Sequence, residues 1–569
     1  MRSQGGQGLL PNSIARSYCC EWAYFDSIAI MRGFISLRVA VGAVVASAIA
    51  GGLFGGKVLS GQDSVNQSFD AFASALSAVE ANYVDEVDTE RLVYRSISGM
   101  LQTLDPHSNF MDPRSYAQLR ERQEGRYYGL GIQINVFDGR ITVMSLFEGS
   151  PAYRSGIRRG DVIAEIEGEN AIGMSSDQAV QRLRGPRGSF VNVSMRRDGY
   201  DDLIDLQVER DEINITTVKA AFMVTPEIGY VRLGDFSDTS NEELVRALAG
   251  LSEDGFDRLV LDLRGNPGGP LDQAIRVSNQ FLPHGDMIVY TRGRIANSDQ
   301  DYHARETGRY TEQPLIVLVN RNSASASEIV AGAVQDHDRG LVVGETTFGK
   351  ALVQSVYRVS HGAGLALTTA RYFTPSGRML QRPWDGTFDE YLTYSLRDPE
   401  PPVHAPQDRK LTDSGREVYS GGGVAPDHFV TGPIEGFDPS RFGRLLAARG
   451  EFVSFARRFV AAGDTRVTVE GDGRESVEPG FQVTQRLLDE FKEHVRDNGM
   501  TVDEEAFASD SNFIKAMIHF QVDIDLFGEA EARKNLFEVD PQAQFALTLF
   551  DEATSLLKLS NTSTLVAAR

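Results

Sequence analysis

Three serines alternate with alanines in the run Ser323-Ala-Ser325-Ala-Ser327, after an apolar strand pattern and before an alanine-rich helix pattern. A hydroxyl group at such a strand-to-helix turn lies close to the N-terminus of the helix, where unpaired backbone N–H groups favour developing negative charge. This position suits a serine nucleophile in acyl transfer. Helix capping explains one of the serines but not the repeat.

A serine nucleophile requires a base, and the sequence offers two downstream candidates, His337 and Lys350. His337 stands in a polar run, 335–339, that is typical of a solvated helix end. Lys350 follows Gly349 among apolar residues, and burial there would lower its pKa from about 10.4 far enough for a neutral amine to accept a proton. Gln354 offers an uncharged amide that can orient the amine. Spacing alone leaves both candidates open.

Three motifs in this part of the chain together resemble the carboxyl-terminal processing peptidases, also called tail-specific proteases. They are Ser-Ala-Ser-Ala-Ser-Glu at 323–328, Gly349-Lys350 with Gln354, and Asp-Leu-Arg-Gly-Asn-Pro-Gly-Gly at 262–269. The resemblance extends over roughly residues 65–432 through the segments 104–108, 371–378 and 422–427.

The resemblance implies a role for each residue of the catalytic set. Ser325 is the expected nucleophile, Lys350 the general base, and Gln354 the side chain that positions the lysine. The glycines at the end of 262–269 follow a buried strand and let backbone N–H groups approach a substrate carbonyl. The expected donors of the oxyanion hole are the backbone N–H groups of Ala326 and of Gly268 or Gly269.

A glycine-rich turn, Gly129-Leu130-Gly131-Ile132, opens a strand in a β-rich part of the chain. Successive N–H groups at such a turn can form an anion-binding concavity. Together with the glycine-containing motifs that follow up to residue 185, the turn resembles a PDZ domain of the bacterial, protease-attached type. The resemblance implies that an extended peptide adds to the domain's edge and that the turn holds its C-terminal carboxylate. A docking module unrelated to catalysis is the alternative.

The hydrophobic periodicity predicts which elements position these motifs. Apolar residues at three- and four-residue steps predict helices before residue 117, a period of two predicts strands to about 212, and alternating strands and helices follow. The resemblance implies an α/β core related to the spiral of crotonases and Clp proteases, with an inserted PDZ domain and helical regions at both ends. The predicted parts are a signal or anchor segment at 1–60, a helical region at 61–117, the PDZ domain at 118–212, the core at 213–432 and a helical extension at 433–569.

The first 60 residues are basic, although the whole chain is acidic. Between Arg38 and Lys57 lie 18 uncharged residues, 39–56, a length at the lower edge of a membrane span. The positive-inside rule places the N-terminus in the cytoplasm, and everything beyond about residue 60 is then expected to be exported to the periplasm or another extracytoplasmic space. The sequence is compatible both with an uncleaved membrane anchor and with a cleaved signal peptide. It is also compatible with a true start of the chain at Met31.

Composition excludes several classes of function for the 569 residues. The net charge of −22 is opposite in sign to the basic face that nucleic-acid binding requires. The two cysteines, Cys19 and Cys20, are adjacent, so the rest of the chain has no thiol for a disulfide framework, a zinc cluster or a nucleophile. No metal or organic cofactor is expected. The expected partners are proteins with free C-termini, the membrane if the N-terminal segment is uncleaved, and a possible second copy of the chain.

Two features depart from the family pattern. Ala351 stands where many relatives have a second glycine after the lysine, which affects loop flexibility more than chemistry. The extension at 433–569 contains no catalytic constellation, and His494 and His519 stand alone on predicted helices. We interpret the extension as a helical interaction or dimerisation region.

The sequence therefore predicts an exported endopeptidase that recognises apolar protein C-termini and cuts the tail through an acyl-enzyme. Three rivals stay open: a non-catalytic scaffold, a crotonase-like acyl-CoA enzyme, and a serine hydrolase that uses His337.

Overall fold

The computed structural model describes residues 66–567, apart from 138, 148, 198, 385–390, 399, 462–467, 470–474 and 477–479. The segment 39–56, which carries the predicted signal or anchor, lies outside the described residues. Within them, no helix is both long enough and apolar enough to cross a membrane.

The chain divides into two compact units, Met1–Arg95 and Ser96–Arg569. Helix α1 (66–82) lies in the first unit, and its apolar side chains, such as Phe69, are exposed. Helix α2 (Thr89–Gln102) begins in the same unit. The segment after it breaks the helical pattern, because a residue before proline avoids the helical conformation.

The first part of the second unit is the β-rich domain. Strand β1 (Asn109–Met111) and helix α3 (Pro113–Glu124) precede it. Its strands are β2 (Arg126–Gly129), β3 (Ile132–Phe137), β4 (Arg140–Leu146), β5 (Val162–Ile166), β6 (Glu169–Asn170), β7 (Phe190–Arg196), β8 (Ile204–Glu209) and β9 (Asp211–Asn214), and its helices are α4 (Pro151–Arg154) and α5 (Ser176–Leu183). The main sheet has the order β3-β4-β5-β7-β8, so that β3 lies at its edge, and β2 pairs with β9.

The α/β core contains two sheets. Its strands are β10 (Val218–Met223), β11 (Ile228–Leu233), β12 (Arg258–Asp262), β13 (Met287–Gly293), β14 (Gln300–His303), β15 (Leu315–Val319), β16 (Leu341–Gly344), β17 (Leu352–Arg358), β18 (Gly364–Phe373), β19 (Arg409–Leu411), β20 (Glu417–Tyr419) and β21 (His428–Phe429). The first sheet has the order β10-β11-β12-β15-β16-β21, in which all neighbours are parallel except β10 and β11. In the second, β18 pairs with β1, β13 and β17, and β14 pairs with β13.

Three helices cover one face of the six-stranded sheet: α6 (Ser240–Glu253), α7 (Leu271–Asn279) and α8 (Ala326–Asp336). All residues of α8 are buried, which its small side chains permit because the helix packs on several sides at once. The N-terminus of α8 therefore has a fixed position inside the core.

The extension at 433–569 is helical, and its last helices pack on the opposite face of the same sheet. Phe537, Ala543 and Phe550 share one apolar cluster with sheet residues such as Ile316 and Val343. The helices are α9 (Arg441–Ala448), α10 (Glu451–Ala461), α11 (Gln485–Asp497), α12 (Glu504–Ser509), α13 (Ser511–Phe527), α14 (Glu529–Val539), α15 (Pro541–Leu547) and α16 (Phe550–Ala567), and a short pair β22 (Thr468–Val469) and β23 (Glu475–Ser476) lies between α10 and α11. The interpretation of the extension as an interaction region missed this packing, which makes its end part of the core.

Candidate active site

Ser325 lies at the turn between β15 and α8 in a backbone conformation that residues other than glycine rarely adopt. Its φ is 55° and its ψ is −110°. Such a conformation costs of the order of 1–3 kcal/mol and persists only where the surroundings fix it. Ser325 is half-buried and lines a cavity of about 460 Å³.

The two serines that flank Ser325 have structural partners. The Ser323 hydroxyl donates to the Leu263 carbonyl oxygen over 2.8 Å, and the Ser327 hydroxyl donates to that of Asn266 over 3.0 Å. Both serines are fully buried. The middle serine is thus the member of the run that faces the cavity, and its neighbours fasten the run to the loop after β12.

The Glu328 carboxylate, which is fully buried, joins the segment of Ser325 to the segment of Lys350. One oxygen, Oε2, accepts the Ser325 N–H over 2.8 Å and the Lys350 N–H over 2.9 Å. The other, Oε1, accepts the Gly349 N–H and the Thr347 hydroxyl. Burial raises the pKa of Glu328, although these four donors oppose the effect. A single side chain therefore fixes the separation of two segments 25 residues apart.

We expect Glu328→Gln to lower the free energy of unfolding by about 2 kcal/mol or more, because an amide nitrogen would face two N–H donors that need an acceptor. Urea unfolding measures the change. The exposed Glu253, at the end of α6, supplies the control, since Glu253→Gln removes the same charge without a buried partner. Equal stability of the two variants would contradict the bridging role of Glu328.

Lys350 and Gln354 also line the cavity. The Lys350 Nζ atom donates to Gln354 Oε1 over 3.1 Å, and the Gln354 amide nitrogen donates to the His107 carbonyl oxygen. Burial lowers the pKa of Lys350, while the carboxylates of Glu328 and Asp105 act in the opposite direction. The amine thus has an uncharged hydrogen-bond partner and an environment that favours its neutral form.

Tyr372, on β18, makes a second link between the two segments. Its hydroxyl lies 2.6 Å from the Lys350 carbonyl oxygen and 3.2 Å from that of Ser325. The side chain is buried, and burial raises its pKa well above the usual value, so the hydroxyl stays a donor.

Gly268, Gly269 and Ala326, the candidates for the oxyanion hole, all line the cavity of Ser325. A Cβ atom on Gly268 would lie 2.8 Å from both the Ala326 nitrogen and the Ser325 Cβ atom, so only glycine permits this close approach. The Gly268 N–H donates to Asn266 Oδ1 over 2.9 Å. The Gly268 N–H group therefore already has a hydrogen-bond acceptor within its own loop.

His107 and Asp105 are site residues to which the sequence analysis gave no role. The His107 ring lines the cavity, and its Nε2 atom lies 2.7 Å from the Tyr391 hydroxyl. Burial and the nearby Lys350 lower the pKa of His107 to about 4. Burial alone would raise the pKa of Asp105, but hydrogen bonds from Ser108 and His107 outweigh it and lower the pKa. The motif at 104–108, which contains both residues, was the sequence signal that could have identified them.

His337 lies at the other end of α8, about 18 Å along the helix from Ser325. Its ring nitrogens lie 2.7 Å from Asp413 Oδ2 and 2.7 Å from the Met287 carbonyl oxygen. Burial alone would lower the pKa of His337, but these two hydrogen bonds and the nearby carboxylates of Asp413 and Asp286 outweigh it and raise the pKa to about 9. The interpretation of 335–339 as a solvated helix end is wrong, since these residues are buried. His337 does not line the cavity of Ser325.

The Gly129–Ile132 turn connects β2 to β3. The Leu130 carbonyl accepts the Ala152 N–H, and the Gly131 carbonyl accepts the Phe147 N–H. Because a trans peptide sets its N–H opposite its carbonyl, the N–H groups of Gly131 and Ile132 point away from these partners. A cavity of about 50 Å³ lies beside the turn, and its lining is mostly apolar: Tyr127, Leu130, Gly131, Ile132, Ile134, Val180, Leu183 and Arg184.

The acidic and histidine side chains form no metal site that we can identify within the described residues. No group of three or more His, Cys, Asp or Glu side chains there could hold an ion. His494 and His519 each lie next to one carboxylate of the extension, Glu451 and Asp523 respectively.

Comparison with known protein families gives three matches. Peptidase family S41 matches residues 227–386, PDZ domain matches 118–196, and Activating protease CtpB N-terminal domain matches 56–115.

Two curated proteins and one solved structure illustrate the likeness. The chain is 40% identical over 314 residues to the Carboxy-terminal-processing protease of Bartonella bacilliformis, covering 54% of this chain and 72% of the relative. It is 35% identical over 348 residues to the Carboxy-terminal processing protease CtpA of Bacillus subtilis, covering 60% and 74%. A solved photosystem II D1 C-terminal processing protease is 32% identical and covers 55% of this chain and 89% of its own, with a TM-score of 0.32.

Proposed function

We propose that this chain, which belongs to the carboxy-terminal processing proteases of peptidase family S41, binds protein tails at its PDZ domain and cuts them with Ser325 as nucleophile and neutral Lys350 as base. The family and fold class predicted from the motifs are confirmed. The observation that carries the catalytic proposal is the common cavity of Ser325 and Lys350, whose backbone N–H groups bind the same oxygen of Glu328.

In the proposed first step, the Lys350 amine takes the proton of the Ser325 hydroxyl while the hydroxyl oxygen attacks the scissile carbonyl carbon. The resulting tetrahedral species carries a negative oxygen. The Lys350 ammonium then gives its proton to the leaving amine as the C–N bond breaks. Water attacks the acyl-enzyme with Lys350 again as base, and the Ser325 hydroxyl is restored.

We assign the negative oxygen to the backbone N–H groups of Ala326 and Gly269. Ala326 is the first residue of α8, and the first N–H groups of a helix have no partner inside it. Of the two glycines, Gly268 already donates to Asn266, which favours Gly269 as the donor. Two preset donors stabilise the transition state without the reorganisation that water would require.

Tail recognition is proposed for the edge of the PDZ domain. PDZ domains bind peptide C-termini by strand addition, and β3 is an edge strand here. The N–H groups of Gly131 and Ile132 supply the carboxylate cradle, and the apolar cavity beside them receives the last side chain. Because the lining of this cavity is mostly apolar, an apolar residue is the expected end of a tail.

We expect a protein with such a tail to be cut near its C-terminus, and we expect C-terminal amidation to lower kcat/KM about 10- to 100-fold. Amidation removes the charge that the cradle binds, and hydrogen bonds to charged groups contribute about 1.5–3 kcal/mol each. Mass spectrometry of the products locates the cut. Gly131→Ala should act like amidation by raising KM, because the new Cβ atom would lie 2.3 Å from the Ser150 Cβ atom.

The control variant is Gly168→Ala in the same domain. The φ angles of Gly131 and Gly168 are +77° and +76°, but nothing lies within 4 Å of a Cβ atom at Gly168. Backbone strain is therefore matched, and only the clash at the cradle differs. If Gly168→Ala raised KM as much as Gly131→Ala, or if amidation had no effect, the tail-binding role would be refuted.

Export of the part beyond about residue 60 stays a prediction and is included in the proposal. The charge-free segment 39–56 after a basic N-terminus supports it. The test of export is digestion of the chain by a protease that is added after removal of the outer cell layers. A chain that stays protected from digestion would refute export. Membrane anchoring and homo-oligomer formation also stay predictions.

A further inference from the structure

Arg264 lies two residues after β12, at the start of the loop that carries Gly268 and Gly269, and it is buried. Its guanidinium binds the Asp262 carboxylate within the core. It also binds two residues of the C-terminal extension: Nη1 donates to Gln542 Oε1 over 3.0 Å, and Nη2 lies 2.7 Å from Asp540 Oδ2.

Asp540 and Gln542 are held in turn by the fold of the extension. Asp540 caps α15, because its Oδ1 atom accepts the N–H groups of Gln542 and Ala543. The Gln542 amide nitrogen donates to the Val430 carbonyl oxygen over 2.7 Å. Both side chains are buried. The helix end that presents them to Arg264 therefore has a fixed position.

The charges around Arg264 form a largely buried network of ion pairs that spans the core and the extension. Arg232 lies 3.3 Å from Asp262 and 3.4 Å from Glu435, and Arg533 lies 2.7 Å from Glu435. With Arg264 and Asp540 the network contains three guanidinium groups and three carboxylates, and Arg533 also lies 3.6 Å from the more exposed Glu529. A buried charge without its partner is costly, so the network favours one arrangement of the two parts.

The loop after β12 connects this network to the segment of Ser325 through hydrogen bonds made within a few residues of Arg264. Two positions after Arg264, the Asn266 carbonyl oxygen accepts the Ala324 N–H and the Ser327 hydroxyl, each over 3.0 Å. The Asn266 side chain accepts the Gly268 N–H. A displacement of Arg264 would therefore move the glycine segment relative to Ser325.

We propose that Asp540 and Gln542 of the C-terminal extension are positioning residues for catalysis, which hold the oxyanion loop in place through Arg264. The inference rests on the proposed function, since it gives the loop its role at Ser325. The extension is then a working part of the active site, although none of its described residues lines the cavity of Ser325. Small displacements at a site can cost about a hundredfold in rate, so an effect of this kind is measurable.

The test is Asp540→Asn in the full chain, with steady-state kinetics on a tailed peptide. Asparagine is also a good helix cap. With its oxygen in the cap, its amide nitrogen would face the Arg264 guanidinium, donor against donor. The expected result is a fall in kcat of about tenfold or more with KM unchanged within about twofold. The concentration of active sites is measured by titration with a serine-directed covalent probe. Rates are expressed per active site, so that unfolded protein does not contribute.

The matched control is Asp510→Asn in the same extension. Asp510 is a buried carboxylate that accepts hydrogen bonds from Ser440 and Gly443 and has no contact with Arg264 among the described residues. The same loss of kcat in both variants would overturn the inference. In an Arg264→Gln background, Asp540→Asn should have no further effect on kcat, and a full additional loss there would also overturn it.

If Asp540→Asn does not fold, a second variant, Gln542→Leu, tests the same inference. Gln542→Leu keeps the net charge and removes both the acceptor of Arg264 and the donor to the Val430 carbonyl oxygen, and a smaller fall in kcat is expected. An unchanged kcat would count against the inference. Ser325→Ala is measured in the same series. If turnover persists in Ser325→Ala, the proposed function itself is overturned. If turnover is lost in Ser325→Ala, the kinetics of Asp540→Asn decide whether Asp540 positions the oxyanion loop.

Discussion

Ser325→Ala is expected to lower kcat by about 10⁵- to 10⁶-fold while leaving the affinity for a tailed peptide unchanged. Loss of the nucleophile in a serine protease removes nearly all covalent catalysis, and what persists comes from substrate binding and the oxyanion hole. In the proposed function the tail binds at the PDZ turn, and Ser325 is not part of that turn. Steady-state kinetics and peptide binding measured on the same sample separate the two effects.

Ser323→Ala is the matched control for this prediction. It removes a hydroxyl two residues away that donates to the Leu263 carbonyl oxygen and accepts the Asn320 N–H. We expect a loss of stability of about 1–2 kcal/mol and retention of activity within about tenfold. A serine-directed covalent probe should label the Ser323 variant and fail to label the Ser325 variant. Labelling of both, or activity of Ser325→Ala near that of the wild type, would remove the assignment of the nucleophile and would leave the scaffold alternative.

The motif residues could be predicted from the sequence because their chemistry and spacing are local. Ser325, Lys350 and Gln354 follow one another within 30 residues, and the structure places all three on one cavity. The resemblance left Gly268 and Gly269 equivalent. The hydrogen bond from Gly268 to Asn266 distinguishes them, and hydrogen bonds of this kind depend on loop conformation that no residue pattern encodes.

The residues that hold the site together could not be assigned from the sequence. Glu328 is a glutamate in the first turn of a helix, where acidic residues are common for reasons that need no active site. Three of its four hydrogen bonds exist only because the segment 347–350 folds against α8. The Tyr372 hydroxyl and the His107 ring reach the site from parts of the chain far from Ser325 in sequence.

The burial of 335–339 and the packing of the extension on the sheet, which the sequence did not indicate, also have physical causes. The polar run 335–339 is buried because Asp413 and Arg416 come from a distant segment to pair with His337 and Asp338. Helical periodicity in the extension identifies an apolar face, but it does not say which surface covers that face. Here the covering surface is the sheet of the core.

Lys350→Arg is expected to lower kcat by about 10³-fold or more, although it retains the positive charge. A general base contributes about 10²- to 10⁴-fold, and arginine cannot give up its proton in a protein. Lys350→Met should lose as much, since it also lacks a base. If charge alone were required, the arginine variant would stay active and the methionine variant would not, so kinetics of the two variants side by side decide between the roles.

The pH dependence of the wild type gives an independent measure of the same amine. Lys350 acts as a base only when neutral, so activity should be low below its pKa and should rise as the pH passes through it. Burial lowers that pKa from the usual 10.5, which brings the rise toward neutral pH. The pKa of His107, about 4, lies too low to cause a rise above pH 5. A flat profile from roughly pH 5 to 9 would contradict the mechanism. Gln354→Glu should move the rise to higher pH by about one unit or more, because a carboxylate beside Nζ stabilises the ammonium form.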